Sequence, residues 1–184
     1  MGFITRFCTA ILILSLLWGC QSQTAKERFV LEGARVNVAG DTLNIQLQQQ
    51  LNFSPAAVEA LYNGVPLVMQ WDLELRDGNN LTLLTTRERR AALRYLPLSE
   101  RFQLEQLDSG ATQSYPRLRH ALRAMNQLQI TVDNIPLAPG TYQMRARVRL
   151  DRADLPAPMQ LPALVLMRWR HDSLWNQWPF EVSA

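Results

Sequence analysis

The sequence predicts a mainly β protein, an antiparallel β-sandwich of the immunoglobulin-like kind with two short inserted helices. Three observations carry this. From Thr141 to Asp151 the side chains alternate, with Tyr142, Met144, Ala146, Val148 and Leu150 on one face and Gln143, Arg145, Arg147 and Arg149 on the other. That period of two marks a strand with one face on a core and one in water. Thr42 to Phe53 repeats the pattern, with Leu43, Ile45, Leu47 and Leu51 inward and Asn44, Gln46, Gln48 and Gln50 outward. The remaining apolar runs are short and separated by turn-forming residues, as in a stack of two antiparallel sheets.

The N-terminus reads as an address. One positive charge, Arg6, precedes an apolar run from Phe7 to Trp18. A membrane span needs about 20 apolar residues, so the run fits a signal-peptide core better. Leu17-Trp18-Gly19-Cys20 then resembles a bacterial lipobox, although Trp18 replaces the usual small residue. This resemblance implies cleavage after Gly19 and lipidation of Cys20. Residues 1–19 are therefore expected to be a signal peptide, 20–26 a lipidated cysteine and tether, and 27–184 one sandwich domain. Gln21 after the cysteine, rather than Asp, favours the outer membrane by analogy with lipoprotein sorting. The expected location is the periplasmic side of a bacterial membrane, and the expected first partner is that membrane, through Cys20.

In order along the body, Arg28 to Val38 is a strand whose phase slips at Gly33, the sign of a bulge. Ala39-Gly40-Asp41 turns it into the Thr42–Phe53 strand, making a hairpin. A helix follows, with Ser54 as N-cap, Pro55 at its first position and Gly64 past its end. Val65 to Leu75 is a strand with Leu67, Met69, Trp71, Leu73 and Leu75 inward and Val68, Gln70, Asp72 and Glu74 outward. Leu81–Arg90 reads as a strand or irregular edge, and Ala91–Leu98 and Arg101–Leu107 read as strands. Tyr115, Leu118, Ala121, Leu122, Met125 and Leu128 recur at helical spacing, which predicts a second helix over Ser114–Leu128. Ile130–Val132 is a short strand leading to the turn before Thr141. Leu155-Pro156-Ala157-Pro158 reads as a stiff extended link, because prolines argue against a central strand. Ala163–Arg170 and Ser173–Val182 complete the set as strands.

Composition narrows the function. Of 184 residues, 47% are hydrophobic and 19% charged, which is the balance of a globular chain. A net charge of +3 is too small to indicate a nucleic-acid partner. Both cysteines, Cys8 and Cys20, lie in the first 20 residues, so the body has neither a disulfide framework nor a thiolate metal site. His120 and His171 sit in no ligand motif and read as surface residues, so no metal or other cofactor is expected. Asp151 and Asp154 read as turn caps paired with Arg152 or Arg149. No phosphate loop, nucleophile elbow or defensible triad is present, which points away from an enzyme.

Two groups of residues are candidates for binding. Arg145, Arg147 and Arg149 share one strand face, about 7 Å apart, as an anion-binding strip. The competing reading is a wet sheet face with these arginines paired to Asp72 and Glu74. Trp169, Trp175 and Trp178 are candidate interface aromatics, or else they close one end of the core.

Several segments in this order are familiar. They are Gly64-Val65-Pro66-Leu67 before a Trp-bearing strand, Arg89-Arg90 before a Leu/Tyr strand, Thr141-Tyr142 with the Arg-Ala-Arg-Val-Arg-Leu-Asp run, Leu155-Pro156-Ala157-Pro158, and Trp169 with the Trp175–Trp178 tail. The order resembles the DUF4390 family of exported proteobacterial proteins. The resemblance implies a secreted, mostly β domain with no assigned activity or catalytic residues. The resemblance also implies a gene neighbourhood beside a sensor-kinase pair of the nitrogen-regulation type, and through it a link to envelope sensing. The expected function is a non-enzymatic envelope lipoprotein, an accessory module for a protein partner or an anionic envelope component. The alternatives are a structural or assembly factor of the outer membrane and a glycan-acting hydrolase.

Overall fold

The computed structural model describes residues 29–183. The expected signal peptide, Cys20 and the tether through residue 26 lie outside the described residues. Among those described, nine strands, three α-helices and one 3-10 turn follow one another. They are β1 (Phe29–Ala39), β2 (Thr42–Leu51), α1 (Pro55–Tyr62), β3 (Leu67–Asp77), β4 (Leu83–Leu96), β5 (Arg101–Gln106), β6 (Thr112–Tyr115), α2 (Leu118–Met125), β7 (Gln127–Val132), β8 (Gly140–Leu150), α3 (Ala157–Val165), the 3-10 turn Met167–Trp169 and β9 (Asn176–Val182).

The strands form two sheets in the orders β1-β2-β7 and β6-β5-β4-β3-β8-β9. Every pairing is antiparallel. The predicted mainly β class therefore holds. The inner faces of both sheets feed one core cluster that includes Leu43, Ile45 and Leu47 from β2, Trp71 and Leu73 from β3, and Met144 and Val148 from β8. Alternation in β8 maps onto burial as expected, since Tyr142, Met144, Ala146, Val148 and Leu150 are buried and the residues between them are half-buried. The phase slip at Gly33 is a register shift between Leu31 and Gly33 against β2. The first helix ends as its sequence dictates, with Ser54 Oγ accepting from the Ala57 N–H at 3.2 Å and Gly64 at φ +85°.

Two polar contacts fix the core. Gln49 is buried; its Oε1 accepts from Trp71 Nε1 at 2.8 Å and its Nε2 donates to the Met125 carbonyl at 2.7 Å. Tyr142, near the start of β8, donates its hydroxyl to the Ala138 carbonyl at 2.8 Å. The outer edges are poor templates for further pairing: β6 has 4 residues and β9 contains Pro179.

The structure corrects several local expectations. The helix predicted over Ser114–Leu128 is helical only in α2, because Tyr115 pairs with Phe102 in a sheet and Leu128 pairs with Leu47. The proline-rich stretch after Leu155 leads into α3 rather than an extended link. Pro158 occupies the first turn, where no N–H is needed, and Gln160 Nε2 ties the helix to the Ala153 and Leu155 carbonyls at 2.8 and 2.9 Å. Ala163–Arg170 is the end of α3 and the 3-10 turn, not a strand. Among the described residues there are thus three α-helices, not two. His171 is buried rather than on the surface, and its Nε2 accepts from the Ser54 N–H at 2.8 Å. Asp151 does cap its turn by accepting from the Ala153 N–H at 3.0 Å, but Asp151 and Asp154 both bind Arg90, across β3, rather than Arg152 or Arg149.

Candidate functional site

The outer face of the six-stranded sheet gathers most of the charge singled out above. Register decides its layout. Arg145, Arg147 and Arg149 on β8 stand opposite Glu74, Asp72 and Gln70 on β3, and the last two of these stand opposite Glu88 and Arg90 on β4. Arg145 Nη1 donates to Glu74 Oε2 at 3.0 Å, and Arg147 Nε donates to Asp72 Oδ2 at 2.7 Å. Arg149 Nε stands 3.5 Å from the same Asp72 oxygen. Arg76 also claims Glu74, at 2.9 Å. The paired-face reading of the arginines therefore describes their contacts.

Pairing does not neutralise the strip. The two carboxylates Asp72 and Glu74 on β3 are shared among four guanidinium groups, Arg76 on β3 and Arg145, Arg147 and Arg149 on β8, an excess of two positive charges over this pair of strands. The opposite imbalance lies around Arg90 of β4, which meets Glu88 on its own strand and Asp151 and Asp154 just past the end of β8. The face is thus polarised, positive along β8 and negative beside Arg90. Exposure grades along the strip: the side chains of Arg145, Arg147 and Arg149 are 26%, 35% and 41% exposed, so Arg149 is both the least tied and the most open.

The three tryptophans separate. Trp175 lies over the strip, with the Arg145 and Arg147 guanidinium carbons 5.1 and 4.7 Å from its ring centroid. This stacking holds two guanidinium groups by their faces while N–H groups on their edges meet Glu74 and Asp72. Trp169 is buried in the 3-10 turn. Trp178 pairs in register with Met144 and packs against the core. The joining of Trp175 to the arginines was not anticipated; its only sequence signal is that Trp175 precedes the strand that pairs beside β8.

A second concavity, of about 720 Å3, opens beside the three-stranded sheet and α2, lined by Glu32, Gln48, Gln50, Asn52, Arg119 and Arg123 among others. Its single carboxylate, Glu32, accepts from Gln50 Nε2. Glycoside hydrolysis uses two facing carboxylates, an arrangement this groove does not offer. Among the described residues, no group of three or more His, Cys, Asp or Glu side chains is placed to hold a metal ion. No helix among them is long and apolar enough to cross a membrane.

Fold and face together define the class: a mainly β domain of two antiparallel sheets with one polarised, arginine-rich outer face. The chain belongs to the DUF4390 family, a domain of unknown function whose model matches residues 26–179. No curated protein matches it.

Proposed function

We propose that this protein is a non-enzymatic, lipid-anchored accessory module of the bacterial envelope. In this reading Cys20 carries the anchor, on the periplasmic side and in the outer membrane. The β8 strip receives a partner that presents carboxylate or phosphate groups, and the module serves envelope sensing. The observation that carries it is the row of Arg145, Arg147 and Arg149, the first two stacked on Trp175, in a group of four guanidinium groups that share two carboxylates. Partly desolvated arginines held by a ring and a carboxylate are preorganised for bidentate contacts, so little side-chain entropy is lost on binding.

The scaffold for this face is an immunoglobulin-like sandwich. Four features support that finer description. The order β1-β2-β7 and the β5-β4-β3-β8-β9 part of the six-stranded sheet follow the A-B-E and C″-C′-C-F-G orders of that fold, while β6 departs from it by pairing with β5 rather than joining the smaller sheet as strand D does. Trp71 sits on the strand that corresponds to C, and Tyr142 forms a tyrosine corner with Ala138.

The test is crosslinking in cells of the wild-type chain and of a chain with Arg145→Gln, Arg147→Gln and Arg149→Gln. Glutamine is chosen because glutamate would set like charges against Asp72 and Glu74. The expected result is loss of the specific crosslinked species, with folding stability lowered by only about 1–2 kcal/mol because the pairs are partly exposed. An unchanged crosslink pattern in a folded triple variant refutes the strip as the contact and turns attention to a scaffold role.

A further inference from the structure

The strip is not the only unusual surface. At the opposite end of the sheets from the β3–β4 turn, α3 and the segment after it leave large apolar side chains in solvent. Leu161 is 75% exposed, Leu164 62%, Val165 81% and Met167 67%, with Leu166 also exposed. They stand together because Ala163 and Trp169, with the partly buried Met159, face inward and pin this short stretch to the core. Clustered exposure of this kind marks an interaction surface rather than scattered surface apolarity. Arg168 and Arg170 follow at once, both exposed, and no acidic residue lies between Asp154 and Asp172. Asp172 itself stands 3.9 Å from Arg152.

A second observation says what covers the patch. Strand β1 begins at Phe29, whose ring packs 5.1 Å from Phe53 and 5.5 Å from His171. His171 accepts from the Ser54 N–H, and Ser54 Oγ donates to the Arg168 carbonyl at 2.7 Å. The chain therefore enters the domain beside the arginine-bearing end of the patch. Between Cys20 and Phe29 run 8 residues, Gln21 to Arg28. At about 3.5 Å per extended residue the path from Cys20 to Phe29 reaches no more than about 32 Å. A bilayer holding Cys20 lies within that reach of the entry point.

We infer that the apolar surface of Leu161, Leu164, Val165 and Met167, with Arg168 and Arg170, is a second membrane contact that seats this end of the domain on an anionic phospholipid surface. The apolar side chains enter the acyl boundary and the guanidinium groups meet lipid phosphates, the division of labour of an interfacial helix. The orientation rests on the lipid anchor at Cys20 proposed above, whereas the patch chemistry does not. A single α-helix of 9 residues is a weak binder alone, so its effect is to orient an already tethered domain. Seated in this way, the domain directs the β1–β2 and β3–β4 turns away from the bilayer.

The test uses the full chain with a photoreactive benzophenone residue in place of Val165 or, at the far end, of Leu83. Each is reconstituted into vesicles containing phosphatidylglycerol and into vesicles of phosphatidylcholine alone. Lipid adducts at 165 in the anionic vesicles should exceed those at 83 by about fivefold or more, and should fall about fivefold per charge on Arg168→Glu and Arg170→Glu. Equal lipid labelling at both positions overturns the inference, as do protein adducts in place of lipid at 165. A Cys20→Ser chain keeps the two readings apart. If its membrane fractionation is unchanged the anchor fails, and an adduct at 165 in the reconstituted chain still supports the patch. A membrane-bound wild-type chain without the adduct removes the patch and leaves the anchor standing.

Discussion

Gln49 shows how one residue joins the two sheets. It lies on β2 between Leu47 and Leu51, on the core-facing side, and is 2% exposed. A buried amide is tolerable only when its atoms are matched, and here Trp71 and the Met125 carbonyl match one atom each. Gln49→Leu keeps the volume but orphans the Trp71 N–H and the Met125 carbonyl. The expected loss is about 2–6 kcal/mol in urea unfolding, since each of the two unmatched buried groups costs about 1–3 kcal/mol. A loss under about 0.5 kcal/mol would show that water replaces the amide. The run Gln48-Gln49-Gln50 already implied an inward glutamine, because a strand cannot turn three successive side chains outward. The pairing of Arg145 and Arg147 with Glu74 and Asp72 was legible from strand phase alone. The capture of Asp151 by Arg90 was not, since the partner is 61 residues away and lies on the far side of β3.

At the scale of elements, what was legible followed from alternation, and what was missed followed from a shared core direction. Tyr115, Leu118, Met125 and Leu128 all point at one core, so helical spacing runs through α2 into the strands on either side. Backbone pairing, which the spacing does not encode, ends the helix. Leu83–Arg90 lacked a clean pattern because β5 begins pairing only at Ala91, leaving that half of β4 bonded on one side. The β3–β4 turn is held from outside: the Gly78 N–H donates to the Thr141 carbonyl at 2.9 Å. A Cβ on Gly78 would stand 2.7 Å from that same oxygen. Gly78→Ala must push the turn off the start of β8, at about 1–3 kcal/mol of stability, the scale of overpacking. Thermal unfolding of the variant measures it. An unshifted midpoint would mean that the turn relaxes without strain.

At the scale of the whole molecule, neither sheet is a continuous piece of chain. The hairpin β1–β2 gains its third strand, β7, only after four strands of the larger sheet have been laid down. The larger sheet is likewise completed by β8 and β9, after β7. Contacts then cross between the sheets: Gln49 to Trp71 at 2.8 Å, and Asn176 Nδ2 to the Leu31 carbonyl at 2.6 Å. Opening the small sheet alone would expose the core-facing sides of Trp71, Met144 and Val148 while leaving the entropy cost of the larger sheet unrelieved. Partial unfolding is therefore unfavourable, and the two sheets should melt as one cooperative unit. Near-ultraviolet dichroism, which follows packed tryptophans such as Trp71, and far-ultraviolet dichroism, which follows the strands, should give superimposable urea transitions. A near-ultraviolet transition at clearly lower urea would mean that the sheets separate before either unravels, and that the shared core does not couple them.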